Sequence, residues 1–132
     1  MSETKVRPFL MFDGHAEEAM NFYMSLFPGS QVLDLTHYGP EGPGAEGSVM
    51  KASFTLDGQV VMCTDSTARH DFTFTPSLSF FISCDSEDEI RRLSSGLASG
   101  GAELMPLGNY GFSRQFAWVT DRFGVSWQLN LD

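Results

Sequence analysis

The chain contains the same series of predicted elements twice, and this repeat restricts its possible folds more than any other feature. Asp13 precedes and Gly29 ends the first predicted helix, while Asp85 and Gly101 flank the second helix 72 residues further on. Each helix follows one strand-like run and precedes three more, so the predicted order is β-α-β-β-β in each half. We therefore predict an α+β fold with two tandem βαβββ modules that form a curved mixed sheet around a cleft.

The predicted boundaries divide a single domain, 1–132, into a first module, a connector and a second module: 5–65, 66–76 and 77–132. A chain of this length can bury one substantial core. If the second closing hairpin carries two additional residues, Met62 and Gln128 occupy equivalent positions of the repeat. The Gly/Pro-rich segment 39–47 is predicted to be a mobile loop, and the sequence does not indicate its role.

The closing strand, 125–131, indicates which side chains should face the cleft. Apolar and polar side chains alternate along it, which describes a sheet with one face on a core and the other on a polar surface. We predict that the apolar residues pack on a helix, and that Phe9, Leu78 and Phe80 also lie in the core. By the same alternation, the residues predicted to line the cleft and contact a small ligand are Met62, Ser79, Phe81, Arg114, Trp118, Ser126, Gln128 and Asn130.

Charge and cysteine content exclude several classes of function. Eight basic against 17 acidic residues give a net charge of −9, so the chain offers no basic surface for nucleic acid or an anionic membrane. No apolar run is long enough to span a bilayer, and the first residues lack the pattern of a signal peptide. Cys63 and Cys84 form no CxxC motif, so we expect buried, reduced thiols in a cytoplasmic protein.

Four stretches carry a family resemblance: "PFLMFDGHAEEAMNFYMSLFPGS" (8–30), "DGQVVMCTDS" (57–66), "PSLSFFISCDS" (76–86) and "FAWVTDRFGVSWQLN" (116–130). The chain resembles the vicinal oxygen chelate (glyoxalase/bleomycin-resistance/dioxygenase) superfamily and, within it, the PhnB-like branch. The resemblance implies the two-module fold, a cleft and a homodimer. It does not imply a function, because one fold supports many activities.

The resemblance also implies where a metal ion would bind, since metal-dependent members use His and Glu at four cleft-facing strand positions. Three of these positions hold Met62, Ser79 and Gln128, and the fourth falls between Arg7 and Phe9. A neutral amide, a hydroxyl and a thioether do not replace imidazole and carboxylate ligands. We therefore predict no metal and no cofactor. Some PhnB-like relatives are described as ubiquinone methyltransferases, but no glycine-rich strand-to-helix turn suits adenosylmethionine.

Three hypotheses of function remain open, and no catalytic residue is assigned. The first is a metal-free protein that binds a small organic molecule. The second is a metal-dependent or metal-independent lyase, isomerase or dioxygenase-type enzyme with a relocated active site. His37, His70 and an acid are the candidate ligands of a relocated metal, although their sequence positions show no ligand spacing. The third is a homodimer whose cleft is filled by its own side chains. Whether the protein is an enzyme stays undecided, and surface positions are expected for His15, His37 and His70.

Overall fold

The computed structural model describes residues 5–132 and divides into two compact units, one ending at His70 and the other beginning at Asp71. This boundary lies inside the predicted connector, and each unit contains one βαβββ module. That the two modules together form a single domain stays a prediction. Neither helix within residues 5–132 has the length and apolar character that crossing a bilayer requires.

The first module contains a four-stranded sheet and one helix: β1 (Phe9–Phe12), α1 (Ala16–Leu26), β2 (Val32–His37), β3 (Val49–Leu56) and β4 (Gln59–Asp65). The strand order in the sheet is β1-β4-β3-β2. Strand β1 is parallel to β4, whereas the β4–β3 and β3–β2 pairs are antiparallel.

The second module contains β5 (Ser79–Ser83), α2 (Glu87–Ala98), β6 (Ala102–Gly108), β7 (Gln115–Thr120) and β8 (Ser126–Leu131). Its order, β5-β8-β7-β6 with β5 parallel to β8, repeats the topology of the first module. The predicted α+β fold of two tandem modules is therefore confirmed. Strand β1 is the shortest strand of the described residues, with four residues that begin at Phe9.

Each helix buries one apolar stripe against the sheet of its own module. In α1 the buried residues are Ala16, Ala19, Met20 and Tyr23, and in α2 Ile90, Leu93 and Leu97 have no exposed surface. The Ser86–Glu89 spacing predicts a capping box. The Ser86 hydroxyl accepts the Glu89 N–H at 3.1 Å, and the Glu89 carboxylate accepts the Asp85 N–H at 2.7 Å. The sequence signals for the second helix are thus confirmed.

Alternation along β8 also has the predicted outcome. Trp127, Leu129 and Leu131 are at most 2% exposed, and the Trp127 ring stacks on Phe80 with 4.6 Å between centroids. Two expected core residues were wrong. Phe9 is 61% exposed because Leu10 and Phe12 occupy the helix-facing positions of β1.

Leu78 is the second error, with 79% of its surface exposed. It precedes the first residue of β5, and its N–H donates to the Thr75 carbonyl in a turn. The alternation of buried and exposed side chains begins at Ser79, so it does not include Leu78.

The loop 39–47 is held at its base. The Tyr38 N–H donates to the Ser48 carbonyl at 2.8 Å, and the Gly47 N–H donates to the Tyr38 carbonyl at 3.0 Å. Gly44 lies directly against the Tyr38 ring, where a Cβ would come within 2.5 Å of ring atoms. The buried Tyr38 ring thus packs against the middle of the loop.

Candidate functional site

The sheet of the second module has one face covered by α2 and a second face that carries most of the predicted site residues. Residues paired on neighbouring strands share a face, and β5, β8 and β7 form three rows across it. We call this surface the open face. Its rows are Ser79–Ser126–Thr120, Phe81–Gln128–Trp118 and Ser83–Asn130–Phe116.

The central row places one amide between two aromatic side chains. Gln128 pairs with Phe81 on β5 and with Trp118 on β7, and adjacent strands lie about 4.8 Å apart. Phe81 is 59% exposed, whereas Gln128 and Trp118 are half-buried. The amide therefore has an aromatic neighbour on each side and remains accessible from above.

A short hydrogen-bond chain joins the central row to the row of hydroxyls. The indole N–H of Trp118 donates to Ser126 Oγ at 2.8 Å, and the Ser126 and Ser79 hydroxyls lie 2.6 Å apart. The Gln128 amide Nε2 donates to Ser79 Oγ at 3.4 Å. Because Ser126 is only 1% exposed, its hydroxyl hydrogen needs an internal acceptor, which Ser79 Oγ provides.

This arrangement orients the Ser79 hydroxyl. Ser79 Oγ accepts hydrogen bonds from Ser126 and Gln128, so its own O–H is directed away from the chain of bonds. Within residues 5–132, the hydrogen bonds leave Gln128 Oε1 without a protein donor. One hydroxyl donor and one amide acceptor are thus available side by side.

Two further predicted residues lie towards the end of the open face. The Arg114 guanidinium donates to the main-chain carbonyl of Asp132 from Nε at 3.2 Å and from Nη2 at 2.8 Å. The Asn130 amide donates to the Asp132 carboxylate at 2.8 Å. Arg114 therefore holds the end of the chain and carries its charge at the edge of the site.

An aromatic cluster borders the same end. Phe116, on the open face, contacts Phe112 with centroids 5.1 Å apart, and Tyr110 lies 6.4 Å from each of them. Phe112 is 62% exposed. The sequence predicts Tyr110 and Phe112 as a rim, and the rings do lie beside the Asn130 row.

Met62, the eighth predicted residue, lies in the first module. It belongs to the row Phe9–Met62–Ser53 on the first sheet, which corresponds to Phe81–Gln128–Trp118 on the second. The predicted equivalence of Met62 and Gln128 is therefore confirmed by the strand register. Six of the other seven predicted residues lie on the open face, and Arg114 lies at its edge.

His15 and His37 lie on the surface, and each contacts a glutamate of α1. His37 Nε2 lies 2.7 Å from Glu17 Oε1, and His15 Nδ1 lies 3.4 Å from Glu18 Oε1, and the four side chains are 40–63% exposed. Among residues 5–132, no three His, Cys, Asp or Glu side chains come together as a metal centre requires.

Neither cysteine has the properties of a nucleophile. Burial raises the pKa of Cys63 to about 12, with a further contribution from the negative charge of Asp65. Burial also raises the pKa of Cys84 to about 11, and the carboxylate of Glu89 adds to the effect. Both thiols therefore stay protonated at neutral pH. Because the thiolate is the nucleophilic form of cysteine, neither side chain is reactive there.

Sequence reasoning missed the role of Asp65, which is only 3% exposed. Its Oδ1 accepts the N–H groups of Gly14 and Ala16 at 2.9 Å each, and its Oδ2 accepts the Val49 N–H at 2.9 Å. The signal was present, because Asp65 follows Val61 and Cys63 at the helix-facing positions of β4. An acid at a buried strand position must have such partners.

A separate, shallow groove of about 700 Å³ lies between α2 and β6. Its lining combines polar and apolar residues, and two of the polar side chains are already bonded: Arg91 pairs with Asp88, and the Ser94 hydroxyl donates to the Arg91 carbonyl. None of the predicted site residues lines this groove.

The fold defines a class of protein. A glyoxalase/bleomycin-resistance/dioxygenase domain from Frankia sp. matches with a TM-score of 0.65 at 13% identity, covering 99% of this chain and 92% of that chain. The fosfomycin resistance protein FosX from Listeria monocytogenes, in complex with Mn(II) and sulfate, matches with a TM-score of 0.62 at 10% identity, covering 100% and 94%. These likenesses show the vicinal oxygen chelate fold alone.

The family follows from closer matches. The family model described as 3-demethylubiquinone-9 3-methyltransferase matches residues 4–130. A PhnB protein from Bacillus cereus is 53% identical with a TM-score of 0.96, covering 98% of this chain and all of that chain. The chain belongs to this PhnB-like family. A search of curated proteins found no match.

The residues of this chain do not fit the metal site of the superfamily. Three of the four metal positions hold Met62, Ser79 and Gln128, and the fourth falls between Arg7 and Phe9, at the start of β1. None of these side chains supplies the imidazole or carboxylate that a divalent ion of this kind needs. The family's metal ligands are absent from those positions.

The residues also do not fit adenosylmethionine, which the methyltransferase description implies. In both strand-to-helix turns, side-chain oxygens already accept two of the N–H groups. At α1 the carboxylate of Asp65 occupies the N-terminus, and at α2 the Ser86–Glu89 capping box does so. The carboxylate of adenosylmethionine would have to displace these groups to reach either helix N-terminus.

Proposed function

We propose that the protein binds a small organic molecule on the open face of the second module without using a metal ion. The central row carries this proposal, since it places an accessible amide between Phe81 and Trp118 beside an outward-directed hydroxyl of Ser79. Small-molecule sites are mostly apolar with a few placed polar groups, and this row has that composition.

Binding is favoured over acid–base catalysis because none of the nine residues of the open face is ionisable in the neutral range. A general acid or base must exchange a proton near neutral pH, and serine, threonine, asparagine and glutamine do not. Arg114 lies at the edge and is bonded to the Asp132 carbonyl. The enzyme hypothesis thus lacks a group at this site to perform it.

We further propose a homodimer. Phe9 is 61% exposed, Phe81 is 59% exposed and Met11 is 37% exposed, which is a large apolar area for the surface of a small chain. Sedimentation at micromolar concentration tests this, with a mass twice the 14.6 kDa of the chain expected. A species of 14.6 kDa at all concentrations would contradict it.

The free, buried cysteines favour a reducing compartment such as the cytoplasm.

The binding proposal is tested by ¹H–¹⁵N spectra of the protein with a panel of charged and uncharged small compounds. The two tryptophans give an internal control, because Trp118 lies on the open face whereas Trp127 is buried and donates its indole N–H to Asp121. We expect a ligand to shift the Trp118 indole and Gln128 amide signals and to leave Trp127 unchanged.

A matched pair of variants locates the site. Gln128→Ala should abolish the response, whereas Gln59→Ala, which removes an exposed glutamine of the first module, should retain it. If the panel leaves Trp118 unchanged, or if Gln128→Ala binds as tightly as the wild type, the proposed function is wrong.

A further inference from the structure

We infer that the ligand of the open face is an uncharged planar ring that carries a hydrogen-bond acceptor next to a donor, as an aromatic carboxamide does. This inference rests on the proposed function and specifies its ligand class. Three observations support it: the charge of the site, the direction of its hydrogen bonds and the position of its rings.

The central row offers no counter-ion. The nine residues of the open face are uncharged, and the charged Arg114 and Asp132 lie at its edge, where Arg114 donates twice to the Asp132 main-chain oxygen and the Asp132 carboxylate accepts from Asn130. The chain as a whole carries a charge of −9, which repels anions. A cation would meet no carboxylate in the central row, and an unpaired ion is costly to desolvate.

The hydrogen bonds define what the ligand must present. The Ser79 hydroxyl accepts from both Ser126 and Gln128, so it has only its O–H to offer, and it therefore needs an acceptor on the ligand. Gln128 Oε1 is an acceptor, and it needs a donor on the ligand. Because these two atoms are adjacent, one group with both functions satisfies them together.

The aromatic side chains define the shape. Phe81 and Trp118 lie one strand to either side of Gln128 on the same face. A ring bound above Gln128 contacts both of them, and aromatic contacts favour a flat partner over a puckered one. The aromatic cluster of Phe112, Phe116 and Tyr110 extends this apolar surface towards the Asn130 row.

Four probes separate these properties: benzamide, benzoate, benzamidinium and cyclohexanecarboxamide. Each is titrated into the wild-type protein while the indole N–H signals of Trp118 and Trp127 are followed. We expect benzamide to shift Trp118 alone and to bind at least about tenfold more tightly than benzoate or benzamidinium, because an unpaired charge is disfavoured there. Cyclohexanecarboxamide should bind about fivefold more weakly than benzamide, since it lacks the flat ring.

Variants test the hydrogen-bond direction. Ser79→Ala should weaken benzamide binding about tenfold, as the loss of one hydrogen bond does. Ser77→Ala is the matched control, because Ser77 is exposed, precedes β5 and has its hydroxyl 2.8 Å from the Thr75 hydroxyl. It should bind benzamide as the wild type does.

Each other outcome overturns this inference. If benzoate, benzamidinium or cyclohexanecarboxamide shifts Trp118 with an affinity equal to that of benzamide, the ligand class is wrong while the proposed function survives. If Ser79→Ala binds benzamide normally, the hydrogen-bond argument is wrong. If none of the four probes shifts Trp118, the inference fails, and the proposed function fails with it only when the wider panel also leaves Trp118 unchanged.

Discussion

Replacing Asp65 by asparagine should destabilise the first module although the two side chains have nearly the same shape. The carboxylate of Asp65 joins three segments, since it accepts the N–H groups of Gly14 and Ala16 on one oxygen and of Val49 on the other. It is the last residue of β4 and is 3% exposed. Water therefore cannot replace a bond that is lost.

The magnitude follows from counting these bonds. A hydrogen bond to a charged group contributes about 1.5–3 kcal/mol. Asparagine can keep its oxygen towards Gly14 and Ala16, but its NH₂ group then opposes the Val49 N–H, so one bond is lost and two donors face each other. We expect the Asp65→Asn variant to lose about 2–3 kcal/mol and Asp65→Ala, which loses all three bonds, about 4 kcal/mol.

Urea unfolding followed by far-ultraviolet circular dichroism measures this effect, with Asp34→Asn as the control. Asp34 is an exposed aspartate of β2, so its variant loses the same charge without a buried bond and should stay within about 0.5 kcal/mol of the wild type. If Asp65→Asn and Asp34→Asn unfold alike, the reasoning is refuted. Tryptophan fluorescence tests whether the two modules form a single domain, because both tryptophans lie in the second module. If the modules unfold together, Asp65→Asn lowers the urea midpoint measured by fluorescence and the midpoint measured by circular dichroism equally.

Two further predictions concern close packing and the buried thiols. Gly101→Ala should cost about 3 kcal/mol in thermal or urea unfolding, because the new Cβ would lie 2.0 Å from the Thr120 carbonyl oxygen, whereas Gly39→Ala, which enters open space, should be nearly neutral. The raised pKa values of Cys63 and Cys84, about 12 and 11, mean that the folded state keeps protons which the unfolded state releases above its ordinary thiol pKa of about 8.5. Stability from the thiols is therefore complete below about pH 8.5 and falls by up to about 1.4 kcal/mol per pH unit for each thiol above it. The difference between the wild type and a Cys63→Ala/Cys84→Ala variant should shrink over that range, and a difference that is constant with pH would refute the assignment.

The repeat made most of the fold predictable. Helix caps such as Ser86 with Glu89, and the alternation around Trp127, are local signals that depend on a few neighbouring residues. The repeat also aligned Met62 with Gln128 before any strand pairing was known, and the register confirms it. Local pattern combined with an internal repeat is therefore enough to identify the elements and their faces.

The errors and omissions arise where tertiary contacts decide. The sequence predicts Phe9 as a core residue. Because Leu10 and Phe12 are buried on one face of β1, Phe9 lies on the opposite, exposed face. The bonds of Asp65 to Gly14 and Ala16 join positions about fifty residues apart in sequence, which no local pattern reveals.

The site was predictable in its composition but not in its bonding. Alternation identified Ser79, Trp118 and Gln128 as residues of one face. The outward direction of the Ser79 hydroxyl depends on its contact with the buried Ser126 hydroxyl. These two oxygens lie 2.6 Å apart on neighbouring strands, but the residues are 47 positions apart in sequence. Such a contact becomes visible only when the sheet register is known.

The most direct test of the account is the metal content of the purified protein, together with its thermal stability during titration with Zn²⁺, Mn²⁺, Ni²⁺ and Fe²⁺. With Met62, Ser79 and Gln128 at three of the metal positions, we predict no stoichiometric metal and no rise in stability. An ion that binds the folded state would raise stability by about 2.7 kcal/mol at one hundred times its dissociation constant. A stoichiometric ion that produces this rise would contradict the metal-free site on the open face and favour the enzyme hypothesis over the binding hypothesis.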